Sequence, residues 1–81
     1  MFNSNQELRD FASVLCEELK LNNEFELANE LRMWNQDAFT SSAEFLGELM
    51  LILEKVKQTS KILSVKPQIE ECMSAIKKAL G

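Results

Sequence analysis

The sequence predicts an all-α fold, a small four-helix bundle with helices over about 5-21, 24-35, 42-59 and 67-80, and three observations carry that prediction. Apolar residues recur at three- and four-residue intervals in four separate stretches, the spacing that gathers them on one face of a helix. Two of those stretches are headed by a serine with a glutamate three residues on, a pair that satisfies the free amides of a helix start. The 81 residues include only two glycines and one proline, too little punctuation for a turn-rich sheet protein.

Ser4 and Glu7 open the first helix, and Leu8, Phe11, Ala12, Leu15 and Leu19 form its buried stripe. Glu7, Asp10, Glu17 and Glu18 fall on the opposite side with Val14 among them, flanked by Arg9 and Lys20. Asn22 and Asn23 break the pattern, and Asn23 with Glu26 offers a cap for a second helix. So short a connection predicts a helical hairpin, with Leu27, Ala28, Leu31 and Trp34 turned toward the first helix and Glu26 and Glu30 outward. Phe25 and Met33 lie off that stripe, where they are expected to cover seams with neighbouring helices.

A linker carrying Asp37 and Phe39 leads to Ser41 and Glu44, which cap the third helix. Here Leu46, Leu49, Leu53 and Val56 centre an apolar stripe that Phe45, Met50 and Ile52 widen, so this helix needs more than one packing neighbour. Gly47 costs helix stability and is expected to mark a close backbone approach. Leu51 stands among Glu44, Glu48, Glu54 and Lys55 on the outer side, either a single exposed apolar residue or the centre of a contact patch. Ile62, Leu63 and Val65 are apolar enough to stay packed in the following segment, whose regular structure is not set by the sequence. Pro67 suits the first turn of a fourth helix, with Ile69, Cys72, Met73, Ile76 and Leu80 as its stripe and Lys77 and Lys78 at its end.

At this length the chain is one domain, residues 1-81, with a net stability of roughly 3 to 5 kcal/mol expected of so small a core. The longest apolar run, Leu49 to Leu53, is far short of a membrane span, and no secretory pattern opens the chain; a cytoplasmic protein with no membrane partner is expected. Cys16 and Cys72 lack metal-type spacing, so two reduced core thiols are the simpler reading, with a disulfide between the first and last helices left open.

The chain has no histidine and no tyrosine, which removes the usual general base and imidazole ligands. Neighbouring glutamates such as Glu17 and Glu18 diverge by about a quarter turn on a helix, and there is no glycine-rich phosphate loop or calcium loop. No enzymatic activity, cofactor or metal is expected. A net charge of −4 disfavours nucleic acid as a partner. The charge is also uneven: Met1 to Glu54 holds eleven acidic and three basic residues, net −8, whereas Lys55 to Gly81 is net +4. An acidic surface over three adjacent helices would steer a basic protein onto the molecule, although each carboxylate taken singly is more simply a solvated surface group.

The succession ELRDFASVLCEEL, EFELANELRMW and TSSAEFLGELMLILEKV, spanning about Glu7 to Lys57, resembles small acidic all-helical immunity proteins encoded beside bacterial toxins, including those of contact-dependent growth inhibition systems. The likeness is one of layout: a leucine-rich first helix, a short Asn-containing turn, an ELANEL-like second helix and a serine-capped third. It implies a protein that binds and neutralises a cognate toxin domain, frequently a nuclease, by occluding its basic cleft. The family shares no fixed contact residues. Charge and wheel position alone select Glu7, Asp10, Glu17, Glu18, Glu26, Glu30, Asp37, Glu44 and Glu48 as the partner-binding set. Trp34 or Leu51 would be the apolar anchor, although Trp34 has the spacing of a core residue.

Two alternatives come from other classes. Ser41 and Ser42 at a helix start suggest an acyl carrier, but the local sequence Phe-Thr-Ser-Ser-Ala lacks that family's Asp-Ser-Leu signature. A helical adaptor or self-associating structural module, completing the burial of its third helix in a dimer, is the stronger alternative.

Overall fold

A computed structural model describes residues 4–37, 41–59 and 66–80, which form four helices: α1 (Asn5–Leu21), α2 (Phe25–Gln36), α3 (Ser42–Thr59) and α4 (Lys66–Leu80). The described residues contain no strand, and the predicted helices are matched to within a residue at each end, the margin by which frayed ends ordinarily differ. Phe39, whose simplest reading from sequence is a plug for the bundle end, and the apolar Ile62, Leu63 and Val65 lie outside the described residues.

Both serine caps form. Ser4 Oγ accepts a hydrogen bond from the Glu7 amide at 3.2 Å, and Ser41 Oγ does the same for Glu44 at 3.2 Å. The cap expected at Asn23 does not. Asn23 instead takes a left-handed conformation (φ 63°), and its amide and that of Glu24 reach back to the carbonyls of Lys20 and Leu19 at 3.0 and 2.9 Å. That is the arrangement by which a left-handed residue closes the end of a helix, and asparagine tolerates it better than most residues. Asn23 therefore terminates α1, and α2 starts after Glu24, an N-cap residue that makes no side-chain cap hydrogen bond.

The helices pack in chain order, α1 on α2, α2 on α3 and α3 on α4. Between α1 and α2, Arg9 donates to the Asn35 carbonyl, while Asn35 Nδ2 donates to the Arg9 carbonyl at 3.3 Å and to Ser13 Oγ at 3.0 Å. Cys16 Sγ meets the Ala28 carbonyl at 3.3 Å two turns further along both helices. Trp34 lies between α1 and α3 rather than against α1 alone. Its indole Nε1 donates to the Phe45 carbonyl at 2.9 Å, its ring sits 4.7 Å from that of Phe45, and the Arg9 guanidinium covers both rings at 5.6 and 4.9 Å. Lys57 and Glu70 join α3 to α4 at 3.0 Å.

Every buried side chain among the described residues is apolar, and Leu15, Leu19, Leu31, Leu49, Leu53 and Ile76 are wholly enclosed. The broad stripe of α3 is divided between α2 and α4, as its width requires. Three expectations need correction. Leu80 remains 46% exposed at the end of α4, and Phe25 and Met33, although they border the seam between α2 and α3, stay 61% and 53% exposed rather than covered. Gly47 marks no close approach, since a Cβ placed there meets nothing within 4 Å. Cys16 and Cys72 are free and buried.

Candidate functional site

Because the turn at Asn22 and Asn23 folds α2 back along α1, α2 presents one flank to α1 and the other to α3. Ala28 and Asn35 occupy the first flank, whereas Glu26, Glu30, Met33 and Asp37 follow at helical spacing along the second. The helix α3 runs antiparallel to α2, so its start lies beside the end of α2 and its end beside the start. Two adjoining grooves open along this seam. One, of about 460 Å³, is lined by Glu30, Met33 and Asp37 of the α2 side and Glu44 and Glu48 of α3, with Trp34 and Ile52 as its floor. The other, of about 600 Å³, carries Glu24, Phe25, Glu26 and Leu27 opposite Lys55 and Thr59. Glu30 belongs to both.

Among the described residues, six carboxylates thus line the seam against one lysine. Lys55 Nζ bonds Glu30 Oε1 at 2.8 Å, and this hydrogen bond, with the charge of Glu30 behind it, raises the lysine pKa. The pair is exposed and screened by water. Glu44 sits in the first turn of α3, where the helix dipole favours a negative charge; Asp37 caps the C-terminal end of α2, where the dipole opposes one.

The structure brings together half of the residues selected from sequence. Glu30, Asp37, Glu44 and Glu48 share one groove with Trp34, and Glu26 lies in the next. Glu7, Asp10, Glu17 and Glu18 do not join them. The Arg9, Ser13 and Cys16 side of α1 is the side that docks on α2, which turns the acidic side of that helix elsewhere. Asp10 accepts from Gln6 at 2.9 Å, and Glu17 pairs with Lys20 at 3.4 Å on the rim of a separate groove that also holds Arg32. The expectation of one acidic surface across three helices is therefore corrected to two acidic faces, one on α1 and one along α2 and α3. Of the two expected anchors, Trp34 is 2% exposed and belongs to the core, while Leu51 stands open at 56%.

Phe25, Met33 and Lys55 line this seam but are absent from the set selected from sequence, which gave Phe25 and Met33 only the role of covering seams. A signal existed for two of them. Met33 lies three residues after Glu30 and four before Asp37, and Lys55 lies seven after Glu48, so each had to share a face with carboxylates already selected.

Chemically the seam offers exposed carboxylates and a few apolar side chains, suited to pairing with ammonium and guanidinium groups. No group of acidic or cysteine side chains among the described residues is arranged to hold a metal ion. Burial, followed by the neighbouring charge of Glu71, pushes the Cys72 thiol up to about 12, which keeps it protonated at neutral pH. None of the described helices is long and apolar enough to cross a membrane. In comparisons with protein-family models, curated proteins and solved structures, nothing matches this chain.

Proposed function

We propose that this chain is an immunity protein that binds and neutralises a cognate bacterial toxin domain, a nuclease by preference, by placing the α2 and α3 seam over the basic cleft of the toxin. The observation that carries this reading is the convergence of Glu30, Asp37, Glu44 and Glu48 on one groove. The resemblance of layout from Glu7 to Lys57 supplies the class of partner.

The mechanism is occlusion. A nuclease holds phosphates with lysines and arginines, and carboxylates fixed on a rigid helical frame take those groups as their own partners. The long-range field speeds encounter, and the apolar contacts of the seam slow dissociation. No reaction by the immunity protein itself is needed.

The test is coexpression with the toxin domain encoded beside this chain. Wild-type protein should restore growth, and the variant carrying Asp37→Lys, Glu44→Lys and Glu48→Lys should not, while retaining its helical circular dichroism. Full protection by the reversed variant would overturn the reading.

A second reading, a self-associating helical adaptor, draws on Val14 and Leu21, exposed at 59% and 78% and seven residues apart on α1. Sedimentation at micromolar concentration separates the two, since that adaptor must be a dimer and the immunity protein need not be.

A further inference from the structure

The outer faces of the two helices that flank the seam repeat one pattern. Glu26, Glu30, Met33 and Asp37 on α2 are spaced by four, three and four residues, and so are Glu44, Glu48, Leu51 and Lys55 on α3. That is the interval of a helix-to-helix contact stripe, which a straight surface helix uses where another helix lies along it. Each stripe has two carboxylates followed by one large apolar residue, and those apolar residues, Met33 and Leu51, are 53% and 56% exposed. A contact stripe is thus present on each of two neighbouring helices, with its large apolar residue open to solvent.

We infer that the seam seats a single cationic amphipathic helix of the partner protein. Its apolar face lies on Met33 and Leu51, and its lysines or arginines meet Glu30, Asp37, Glu44 and Glu48. From Glu26 to Asp37 the seat is about 16 Å long at 1.5 Å per residue, or three turns of helix. This deepens the proposed function and rests on it for the identity of the seam as the binding surface.

Charge selects the occupant. The exposed apolar stripe of α1, Val14 and Leu21, is bordered by Asp10, Glu17 and Glu18, so a second copy offering it would meet like charge. The outer face of α4 mixes Lys66, Lys77 and Lys78 with Glu70 and Glu71, and its one exposed large apolar residue among the described residues, Leu80, stands at the end of the helix with no second one along a stripe. Neither of these faces of a second copy supplies a cationic helix with an apolar stripe. A foreign segment that does so fits both the carboxylates and the apolar pair.

The probe is a synthetic peptide of about three heptads with leucine at the two seam positions and lysine elsewhere. Its control has the same composition with the leucines shuffled off the stripe. Calorimetric titration of the intact chain should detect the first and find the second at least about tenfold weaker, the scale on which loss of one buried apolar contact is felt. The deciding variant is Met33→Asp with Leu51→Asp, which adds two negative charges. A site that works by charge alone would bind the cationic peptide more tightly after this change, whereas a helix seat would bind it at least about tenfold more weakly. Equal or tighter binding by the variant, or equal binding of the two peptides, overturns the inference. If the variant loses its helical circular dichroism, Met33→Ala and Leu51→Ala take its place, with several-fold weakening expected and unchanged binding counting against the seat. The same variants, assayed for protection from the toxin, separate the two proposals. Full protection by the aspartate variant removes the helix seat and leaves the immunity reading standing. Stripe-dependent peptide binding by a wild-type chain that protects against no toxin does the reverse.

Discussion

Trp34 shows how one residue fixes the relation of three helices. Its indole is held by the Phe45 carbonyl at 2.9 Å, its ring packs on Phe45 at 4.7 Å, and Arg9 from α1 caps the stack. Trp34→Phe keeps an aromatic ring there but removes the donor and part of the volume. The Phe45 carbonyl has two lone pairs and lies within α3, so the substitution does not strip it of every partner. The expected cost is about 2 kcal/mol, the sum of one buried hydrogen bond and a modest cavity. Against a net stability of roughly 3 to 5 kcal/mol for a domain of this size, that is a large fraction. Urea denaturation followed by circular dichroism measures it, and a loss below about 0.5 kcal/mol would show that the indole contacts contribute little to the fold.

At the scale of the element, what could be read from the sequence was whatever is settled within a few turns of chain. The four apolar stripes and the serines at 4 and 41 are local signals, and the helices form where those signals place them. Asn23 was misassigned because asparagine serves equally well to start a helix and to end one in the left-handed region; only the return of the Glu24 amide to Leu19 decides between them. Gly47 misled for a different reason. Glycine in a helix costs stability, which invites a packing explanation, yet here no neighbour stands where a Cβ would be. Gly47→Ala should therefore stabilise the protein by about 0.5 to 1 kcal/mol, through better helix propensity and a less flexible unfolded chain. For a domain of this length that corresponds to a rise in melting temperature of roughly 2 to 8 °C, and a fall instead would place an obstructing group beside α3. The candidate site was half legible for a related reason: wheel position tells which carboxylates face away from the core, but not which outward direction a helix shares with its neighbour. The docking of Arg9, Ser13 and Cys16 against α2 supplies that direction, and it separates Glu7 and Asp10 from Glu30 and Asp37.

For the molecule as a whole, the acidic seam runs against its own stability, and that conflict can be measured. Asp37 holds a negative charge at the C-terminal end of α2, a helix with no basic residue in its last turn, and Glu48 stands four residues from Glu44 on the same face of α3. A carboxylate at the wrong helix end costs about 0.3 to 1 kcal/mol at low salt, and a like-charge pair at this spacing about 0.2 to 0.5. Local rules broken together at one surface are more readily retained for binding than for folding. Neutralising both groups with Asp37→Asn and Glu48→Gln should therefore raise stability by about 0.5 to 1.5 kcal/mol in dilute buffer, with most of the gain gone at high salt, where the repulsion is already screened. The same pair of substitutions should weaken capture of a cationic partner at least about tenfold, since each removes a charge that such a partner would meet. Denaturant titrations at low and high salt, run beside the binding measurement, test both halves. If the double variant is less stable than the parent, those carboxylates serve the fold; if it is more stable and binds as before, the charge along α2 and α3 is not what the partner recognises.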